Sequence, residues 1–235
     1  MKVKIEEIAM CDPYKGFDHT KYALDLQPQW GGTSPIIKEL VKTVKPELII
    51  EVGSWKGQSA ITMAETMKEI KINGKIICVD TWLGGFKSRL IPEYAEALKC
   101  RNGYPQVYYQ FLANVIKGGF EKTIIPLALS SDGGAEVLQR KKVQAELIYI
   151  DAGHTFEGTM SELRNFYPLL KKGGVIFGHD YDWPSVRQAV ITFSAILKAQ
   201  GLPYKIKAFG DELVYGDNNK FWVIGLEDED KPCKN

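Results

Sequence analysis

The sequence lacks the features that mark several specialised classes of protein. Its 235 residues carry 30 basic and 29 acidic side chains, so no charged surface for nucleic acid or an anionic membrane is expected. No apolar run reaches the length of about 18 residues that a membrane span needs. Residues 1–19 contain Glu6, Glu7 and Asp12 and lack the apolar core of an export signal. These absences predict a soluble cytoplasmic protein whose partners are small or neutral molecules.

Cysteines are few and scattered. The four show neither a Cys-x-x-Cys pair nor the spacing of a metal finger, which favours reduced thiols that act as small hydrophobes over a disulfide framework. They are Cys11, Cys78, Cys100 and Cys233. The remaining composition is 45% hydrophobic and 25% charged without a biased tract, so a packed core is expected.

Short β-branched runs alternate with stretches of helical spacing along the chain. This alternation predicts an α/β fold: a doubly wound, mostly parallel seven-stranded sheet with helices on both faces and a C-terminal antiparallel hairpin. The predicted strands are 46–52, 74–80, 122–129, 145–151, 173–180, 204–209 and 221–226. The predicted helices are 34–44, 57–71, 132–141, 156–170 and 184–200.

The sequence shows no domain boundary, so residues 31–226 are expected to form one domain. Residues 1–30 are predicted to be an N-terminal extension in which Trp30 is either a lid or an ordinary surface aromatic. Residues 81–119 are longer than a crossover requires and rich in aromatics, which predicts an insertion on the substrate side. Residues 227–235 lack apolar side chains and are predicted to be a mobile tail.

The first predicted strand runs into a glycine-containing turn, "EVGSWKGQS", at residues 51–59. Gly53 and Gly57 allow a sharp turn close to a ligand, and the helix that follows offers free amides. The spacing is not that of a dinucleotide site, and Glu51 would repel a pyrophosphate but suits a cationic ligand. The alternative is a plain strand-to-helix turn.

Asp80 ends the second predicted strand, where open α/β sheets place a carboxylate that binds a ribose diol. With Glu51 it resembles the motifs of class I S-adenosylmethionine-dependent methyltransferases. The resemblance implies S-adenosyl-L-methionine as cofactor and a role for Ser130 and Ser131 at its adenine end. The alternative is a helix-capping position at Ser131 or Asp132. The implied cofactor-binding residues are Glu51, Gly53, Ser54, Gly57, Ser59, Asp80, Thr81, Ser130, Ser131 and Asp151.

Carboxylates and imidazoles follow the fourth and fifth predicted strands. Asp151 and His154 follow one, and His179 and Asp180 follow the other, so four groups are expected to converge beside the cofactor. Two carboxylates suit Mg²⁺, which predicts Asp151 and Asp180 as metal ligands. An imidazole suits Mn²⁺ or Fe²⁺ better, so His179 is a further ligand, a support for one, or a bystander.

The segment "YIDAGHTFEGTMSEL…FYPLLKKGGVIFGHDYDW" resembles metal-dependent O-methyltransferases of the catechol type, and most of all the macrolide-sugar and cephalosporin-cluster enzymes. The likeness covers about residues 30–200. It implies that Asp151 binds a metal and that His154 is the catalytic base. Relatives often carry an acid where His179 stands, which leaves the metal open. The alternative for His154 is a hydrogen-bonded turn residue.

These patterns together predict an S-adenosylmethionine-dependent O-methyltransferase, assisted by a divalent metal. The acceptor would be a hydroxyl of a diol, a catechol or a sugar, with neither nucleic acid nor membrane as a partner. A homo-oligomer is compatible with the sequence. One alternative is a catalytically silent binding or scaffold protein, and another is a nucleotide-cofactor enzyme on the same fold.

Overall fold

The computed structural model of the chain describes residues 5–27, 30–202, 204–209 and 220–226. The strands are β1 Leu48–Val52, β2 Lys75–Asp80, β3 Ile124–Ala128, β4 Ala145–Ile150, β5 Leu170–Gly178, β6 Tyr204–Phe209 and β7 Phe221–Leu226. The helices are α1 Ile5–Ala9, α2 Pro35–Val44, α3 Gln58–Glu69, α4 Lys87–Leu90, α5 Pro92–Ala97, α6 Val107–Gly118, α7 Ser131–Arg140, α8 Phe156–Phe166 and α9 Pro184–Ala199. The predicted tail 227–235 lies outside the described residues.

The strands form one sheet in the order β3-β2-β1-β4-β5-β7-β6. The pairs from β3 to β5 are parallel, whereas β7 is antiparallel to both β5 and β6. The predicted doubly wound, mostly parallel architecture with a C-terminal antiparallel pair is therefore confirmed. The strand order reverses between β1 and β4, and in such sheets ligands bind at the carboxyl ends of the strands beside this reversal.

Both faces of the sheet are buried, as β1 illustrates. Its five residues are all buried, because side chains alternate between the faces and helices cover each one. Ile50 and Val52 pack into the core under α7, α8 and α9, whereas Ile49 packs into the core under α2, α3 and α6. Glu51 points to the same face as Ile49 and is the charged residue in an otherwise apolar strand.

The predicted helix 156–170 is too long and the fifth predicted strand starts too late. Helix α8 ends at Phe166 and a 3₁₀ turn containing Pro168 follows, because proline lacks an N–H and disfavours helical backbone in the residue before it. Strand β5 then begins at Leu170, which pairs with Ala145 before an irregular stretch shifts the register. Gly173 lies in that stretch with φ +81°, a left-handed conformation that glycine adopts without strain.

The predicted insertion 81–119 contributes α4, α5 and α6 and packs against the sheet. Trp82 is buried there, with its ring 4.9 Å from that of Phe111 and 5.0 Å from that of Tyr108. The segment therefore carries its own aromatic core, which fixes α6 close to the turn that follows β1.

Two further sequence-based expectations concern membranes and thiols. In the part of the chain that the structure describes, no helix has both the length and the apolar character that crossing a membrane would require. Cys11, Cys78 and Cys100 are free thiols, and only Cys78 of these three is buried. Cys233 lies outside the described residues.

Candidate active site

Glu51 organises the turn after β1. Its side chain has 0% exposure, and its carboxylate accepts hydrogen bonds from the hydroxyls of Ser54 and Ser59, both at 2.5 Å, and from the thiol of Cys78 at 3.2 Å. Burial raises the pKa of Glu51, and the three donors oppose that rise. The buried acid thus holds both serines of the predicted cofactor-binding turn in place.

Asp80 ties the end of β2 to the same turn. One of its oxygens accepts the backbone N–H groups of Ser54 at 2.9 Å and Trp55 at 2.8 Å, and the other accepts that of Trp82 at 2.7 Å. Burial raises the pKa of Asp80, while these amides counteract it. The amide of Thr81 is a fourth backbone donor to this carboxylate, which lies at the end of β2, where open α/β sheets bind a ribose hydroxyl.

Gly53 and Gly57 let the turn after β1 pack closely against Asp151 and Phe111. Both have positive φ, +85° and +87°, and a Cβ at Gly53 would lie 2.2 Å from the backbone oxygen of Asp151. The turn after β1 therefore touches the end of β4. Gly57 is the N-cap of α3 and has no side chain to cap the first amides of the helix, which suits a ligand at this end.

The remaining predicted cofactor contacts have structural partners. Ser130 caps α7 by accepting the N–H of Gly133 at 3.2 Å, and Ser131 donates to Glu162 at 3.0 Å. The exposed Thr81 accepts the N–H of Leu83 at 3.2 Å. The helix cap was predicted at Ser131 or Asp132 and lies instead at Ser130, and the adenine role of both serines stays a prediction.

The four side chains predicted to converge do lie together at the ends of β4 and β5. Asp180 contacts both imidazoles: Oδ2 lies 2.7 Å from Nε2 of His154, and Oδ1 lies 3.3 Å from Nδ1 of His179. The same nitrogen of His179 lies 3.8 Å from Oδ1 of Asp151. The hydroxyl of Tyr149 donates to the other oxygen of Asp151 at 2.9 Å.

The two aspartates of this cluster differ in their affinity for protons. Burial raises the pKa of Asp151 to about 7, although the charge of His179 opposes the rise. Burial also disfavours the charge of Asp180, but its bonds with His154 and His179 outweigh that effect and hold its pKa well below the usual value. The bond with Asp180 in turn raises the pKa of His154. The cluster therefore retains protons near neutral pH, and a cation could replace them.

The donor atoms suit a divalent cation. One oxygen each from Asp151 and Asp180 and one ring nitrogen of His154 lie within 4.8 Å of one another. The two carboxylates suit Mg²⁺, and the imidazole makes Mn²⁺ or Fe²⁺ a further option. The imidazole of this group is that of His154, which was predicted as the base, and not that of His179, which was predicted as the further metal ligand. The Nε2 atom of His179 is buried beside Gly31 without a hydrogen-bond partner among the described residues.

Glu162, which was not predicted from the sequence, fixes the loop between Asp151 and His154. Its side chain, 5% exposed, accepts the N–H of Gly153 at 3.1 Å and the hydroxyl of Ser131 at 3.0 Å. Burial raises its pKa to about 7. The available signal was helical spacing, because Glu162 lies three residues after Thr159 on the buried face of α8.

Aromatic and basic side chains surround the cluster on the α9 side. The ring centroid of Trp183 lies 5.1 Å from that of His154, and Nζ of Lys87 lies 3.6 Å from the centroid of Trp183. The hydroxyl of Ser185 donates to the backbone oxygen of His154 at 2.7 Å. The start of α9 and the insertion 81–119 therefore meet beside the imidazole.

The segment around Trp30 crosses the same edge of the sheet. Trp30 stacks on Trp55 with a centroid distance of 5.7 Å and lies 5.9 Å from the ring of Tyr94, and it stays 41% exposed. A Cβ at Gly31 would lie 2.8 Å from Nε2 of His179. The segment reaches from His179 to the turn after β1, a position that suits a lid over the cofactor. The lid function of Trp30 stays a prediction.

A family model described as a methyltransferase domain matches residues 50–181. The match runs from β1 to just past β5, and it includes every residue that the sequence analysis predicted for the site. No curated protein matches the chain.

Solved structures confirm the methyltransferase fold. The O-methyltransferase from Bacillus cereus, in complex with SAH, is 16% identical with a TM-score of 0.58, and the match covers 95% of this chain and 90% of that one. The TDP-rhamnose 3′-O-methyltransferase of calicheamicin biosynthesis is 20% identical with a TM-score of 0.55, over 87% and 82% of the two chains. The SAH-bound methyltransferase from Podospora anserina is 16% identical with a TM-score of 0.52, over 82% and 77%. At these identities the likeness concerns the fold alone.

Proposed function

This chain belongs to the methyltransferase-domain family, and from that premise we propose that it transfers the methyl group of S-adenosyl-L-methionine to a hydroxyl oxygen of a small molecule. The observation that carries the proposal is the contact of His154 with Asp180 beside Asp151, next to the turn after β1. A base, a carboxylate that holds it and a further carboxylate at one sheet edge suit the activation of a hydroxyl group. Two of the solved structures with this fold are named as O-methyltransferases.

We assign the cofactor to the crevice between the turns after β1 and β2. The sulfonium of S-adenosylmethionine is a cation, and the carboxyl groups of Asp80 and the buried Glu51 lie beside this crevice. Asp80 lies where open α/β sheets place a carboxylate for a ribose hydroxyl, and the glycine turn lets the cofactor approach the first amides of α3. The methyl group is already activated in the cofactor, so the protein mainly has to align the acceptor oxygen with it.

His154 takes the proton of the acceptor hydroxyl in this proposal. Its Nε2 faces Asp180, which leaves Nδ1 as the nitrogen that accepts a proton. Asp180 then stabilises the resulting imidazolium and holds the orientation of the ring. The acceptor oxygen forms a bond to the methyl carbon as the carbon–sulfur bond breaks, and the sulfur keeps the electron pair. The products are the methyl ether, S-adenosylhomocysteine and a proton, which His154 releases to water.

Asp151 and Asp180 would hold a divalent cation, with His179 as the imidazole ligand if His154 is the base. The cation, Mg²⁺, Mn²⁺ or Fe²⁺, would supply Lewis acidity that favours loss of the hydroxyl proton. Two adjacent oxygens suit such a pair of carboxylates, which favours a diol, a catechol or a sugar as acceptor. The proposal retains a cytoplasmic location, where the free thiols stay reduced, and the homo-oligomer stays a prediction.

The test is a methyl-transfer screen that measures S-adenosylhomocysteine over catechols, vicinal diols and sugars, with Mg²⁺ or Mn²⁺ and with chelator. We expect Asp151→Ala and His154→Ala each to lose about 100-fold in rate or more, while calorimetry still detects cofactor binding. His19→Ala is the matched control, since His19 lies in a separate 3₁₀ turn near the N-terminus. Wild-type rates in both site variants would refute the catalytic assignment, and absence of cofactor binding by the wild type would refute the function.

The metal has a readout that does not depend on activity. We expect Mn²⁺ to raise the melting temperature of the wild type, because a ligand that binds only the folded state stabilises it. Asp151→Asn should abolish the rise. An equal rise in both proteins would place the ion elsewhere.

A further inference from the structure

Lys87 holds a positive charge one aromatic ring away from the proposed base. Its Nζ lies 3.6 Å from the ring centroid of Trp183, and that ring lies 5.1 Å from the imidazole of His154. Trp183 closely follows Asp180 along the chain, whereas Lys87 comes from the insertion 81–119. Two separate segments therefore combine to hold an ammonium group at the acceptor side of the site.

The ammonium group of Lys87 has no acidic partner in the portion of the chain that the structure covers. By contrast, Lys56 in the turn after β1 and Lys99 after α5 both contact Asp25. Lys87 instead rests on the face of Trp183, and a cation–π contact fixes a charge without neutralising it. Its three N–H donors are therefore available to an anion.

We propose that Lys87 and Trp183 form a subsite for an anionic group on the acceptor, a carboxylate or a phosphate ester. This inference rests on the proposed function, because it defines the acceptor of that same site. Trp183 holds the ammonium of Lys87 beside His154, and the ammonium binds the anion. The acceptor hydroxyl is thereby directed toward His154.

The position of the pair separates this subsite from the cofactor crevice. The cofactor also carries a carboxylate, but its proposed crevice lies at the ends of β1 and β2. Lys87, at the start of α4, lies instead against Trp183, and Trp183 belongs to the connection between β5 and α9. A change at Lys87 should therefore alter the binding of the acceptor and leave that of the cofactor unchanged.

The experiment compares paired probes that differ in one anionic group. For the carboxylate we would use 3,4-dihydroxybenzoate and its methyl ester, and for the phosphate glucose 6-phosphate and glucose. Binding of each probe is measured by calorimetry with S-adenosylhomocysteine present, and kcat/KM is measured wherever a probe is methylated. The proteins are the wild type, Lys87→Met, Lys87→Arg and, as a matched loss of charge, Lys198→Met on the exposed side of α9.

We expect the wild type to bind the anionic member of at least one pair about tenfold more tightly than the neutral member. Lys87→Met should remove this preference without weakening the neutral probe, while Lys87→Arg and Lys198→Met should keep it. The pair that shows the preference identifies the anion as carboxylate or phosphate. Added salt should reduce the preference in the wild type, because salt screens a partly exposed charge pair.

Three results would overturn the inference. The wild type could show no preference in either pair, Lys87→Met could keep the preference, or Lys87→Met could raise the KM for S-adenosylmethionine and leave the acceptor unaffected. The third result would assign Lys87 to the cofactor's carboxylate. Calorimetry requires no turnover, so it tests the anion subsite even if no probe is methylated. Failure of the wild type to bind the cofactor or to transfer a methyl group would instead count against the proposed function.

Discussion

Nε2 of His154 lies 2.7 Å from Oδ2 of Asp180, so the residues that follow the neighbouring strands β4 and β5 form a pair. Each shifts the pKa of the other: that of His154 is raised by the bond, and that of Asp180 is lowered despite burial. The backbone of Asp180 has φ +57°, a left-handed conformation that is uncommon outside glycine. Strain of this kind is often found at functional sites.

A double-mutant cycle tests whether this pair acts as one unit in methyl transfer. We expect His154→Gln and Asp180→Asn each to reduce kcat, and the double variant to lose little more than the worse single variant, since both changes break the same contact. The measurement is kcat for a methylated acceptor at saturating cofactor. Losses that multiply in the double variant would show that the two side chains act independently.

The sequence predicted the sheet and the positions of its acids for a simple reason. Strands buried on both faces read as β-branched runs, and parallel strands bring Asp151 and Asp180 to one edge. The contact between His154 and Asp180 could not be predicted, because it depends on the loop conformation at φ +57°. Glu162 and Lys87 reach the site from α8 and α4, and their approach depends on tertiary packing that periodicity alone does not specify.

Glu162 predicts a pH-dependent difference in stability. Its folded-state pKa is raised to about 7 from 4.5 by burial, so the folded state binds its proton more tightly than the unfolded state does. The wild type should therefore lose stability as pH rises from 4.5 to 7, whereas Glu162→Gln lacks this loss. Relative to wild type, the variant should gain up to about 3 kcal/mol between pH 4.5 and pH 8.

The measurement is urea unfolding of both proteins across that pH range. Glu136→Gln is the matched control, because Glu136 is an exposed acid paired with Arg140 on α7. A constant difference between Glu162→Gln and wild type at all pH values would contradict the raised pKa.

Gly53 and Gly16 form a matched pair for the turn after β1. Both have positive φ, +85° and +76°, so alanine is strained at each by about 1–2 kcal/mol. A Cβ at Gly53 also meets the backbone oxygen of Asp151 at 2.2 Å, whereas one at Gly16 meets nothing within 4 Å. Gly53→Ala should therefore destabilise the fold more than Gly16→Ala in urea unfolding, and it alone should weaken cofactor binding. Equal losses would show that the turn can move away from β4.

Asp25 connects the N-terminal segment to Lys56 in the turn after β1 and to Lys99 in the segment 81–119. Its Oδ2 lies 2.7 Å from Nζ of Lys56, whose side chain is 2% exposed, and 3.2 Å from Nζ of Lys99, whose side chain is 58% exposed. Burial disfavours the charge of Asp25, but both lysines outweigh it and lower its pKa. The stabilising contribution of Asp25 is therefore present above its unfolded-state pKa and is lost as pH falls.

Lys56→Ala should destabilise the protein by about 3 kcal/mol, because it removes the buried partner of a partly buried charge. Lys99→Ala should cost less than about 1 kcal/mol, as exposed ion pairs do. Since Trp55, which stacks on Trp30, immediately precedes Lys56, we also expect Lys56→Ala to raise the KM for the cofactor by loosening the segment over the crevice. Urea unfolding at neutral pH and initial rates at varied cofactor concentration measure the two effects. If Lys99→Ala matched Lys56→Ala in both, charge rather than burial would hold the segment in place.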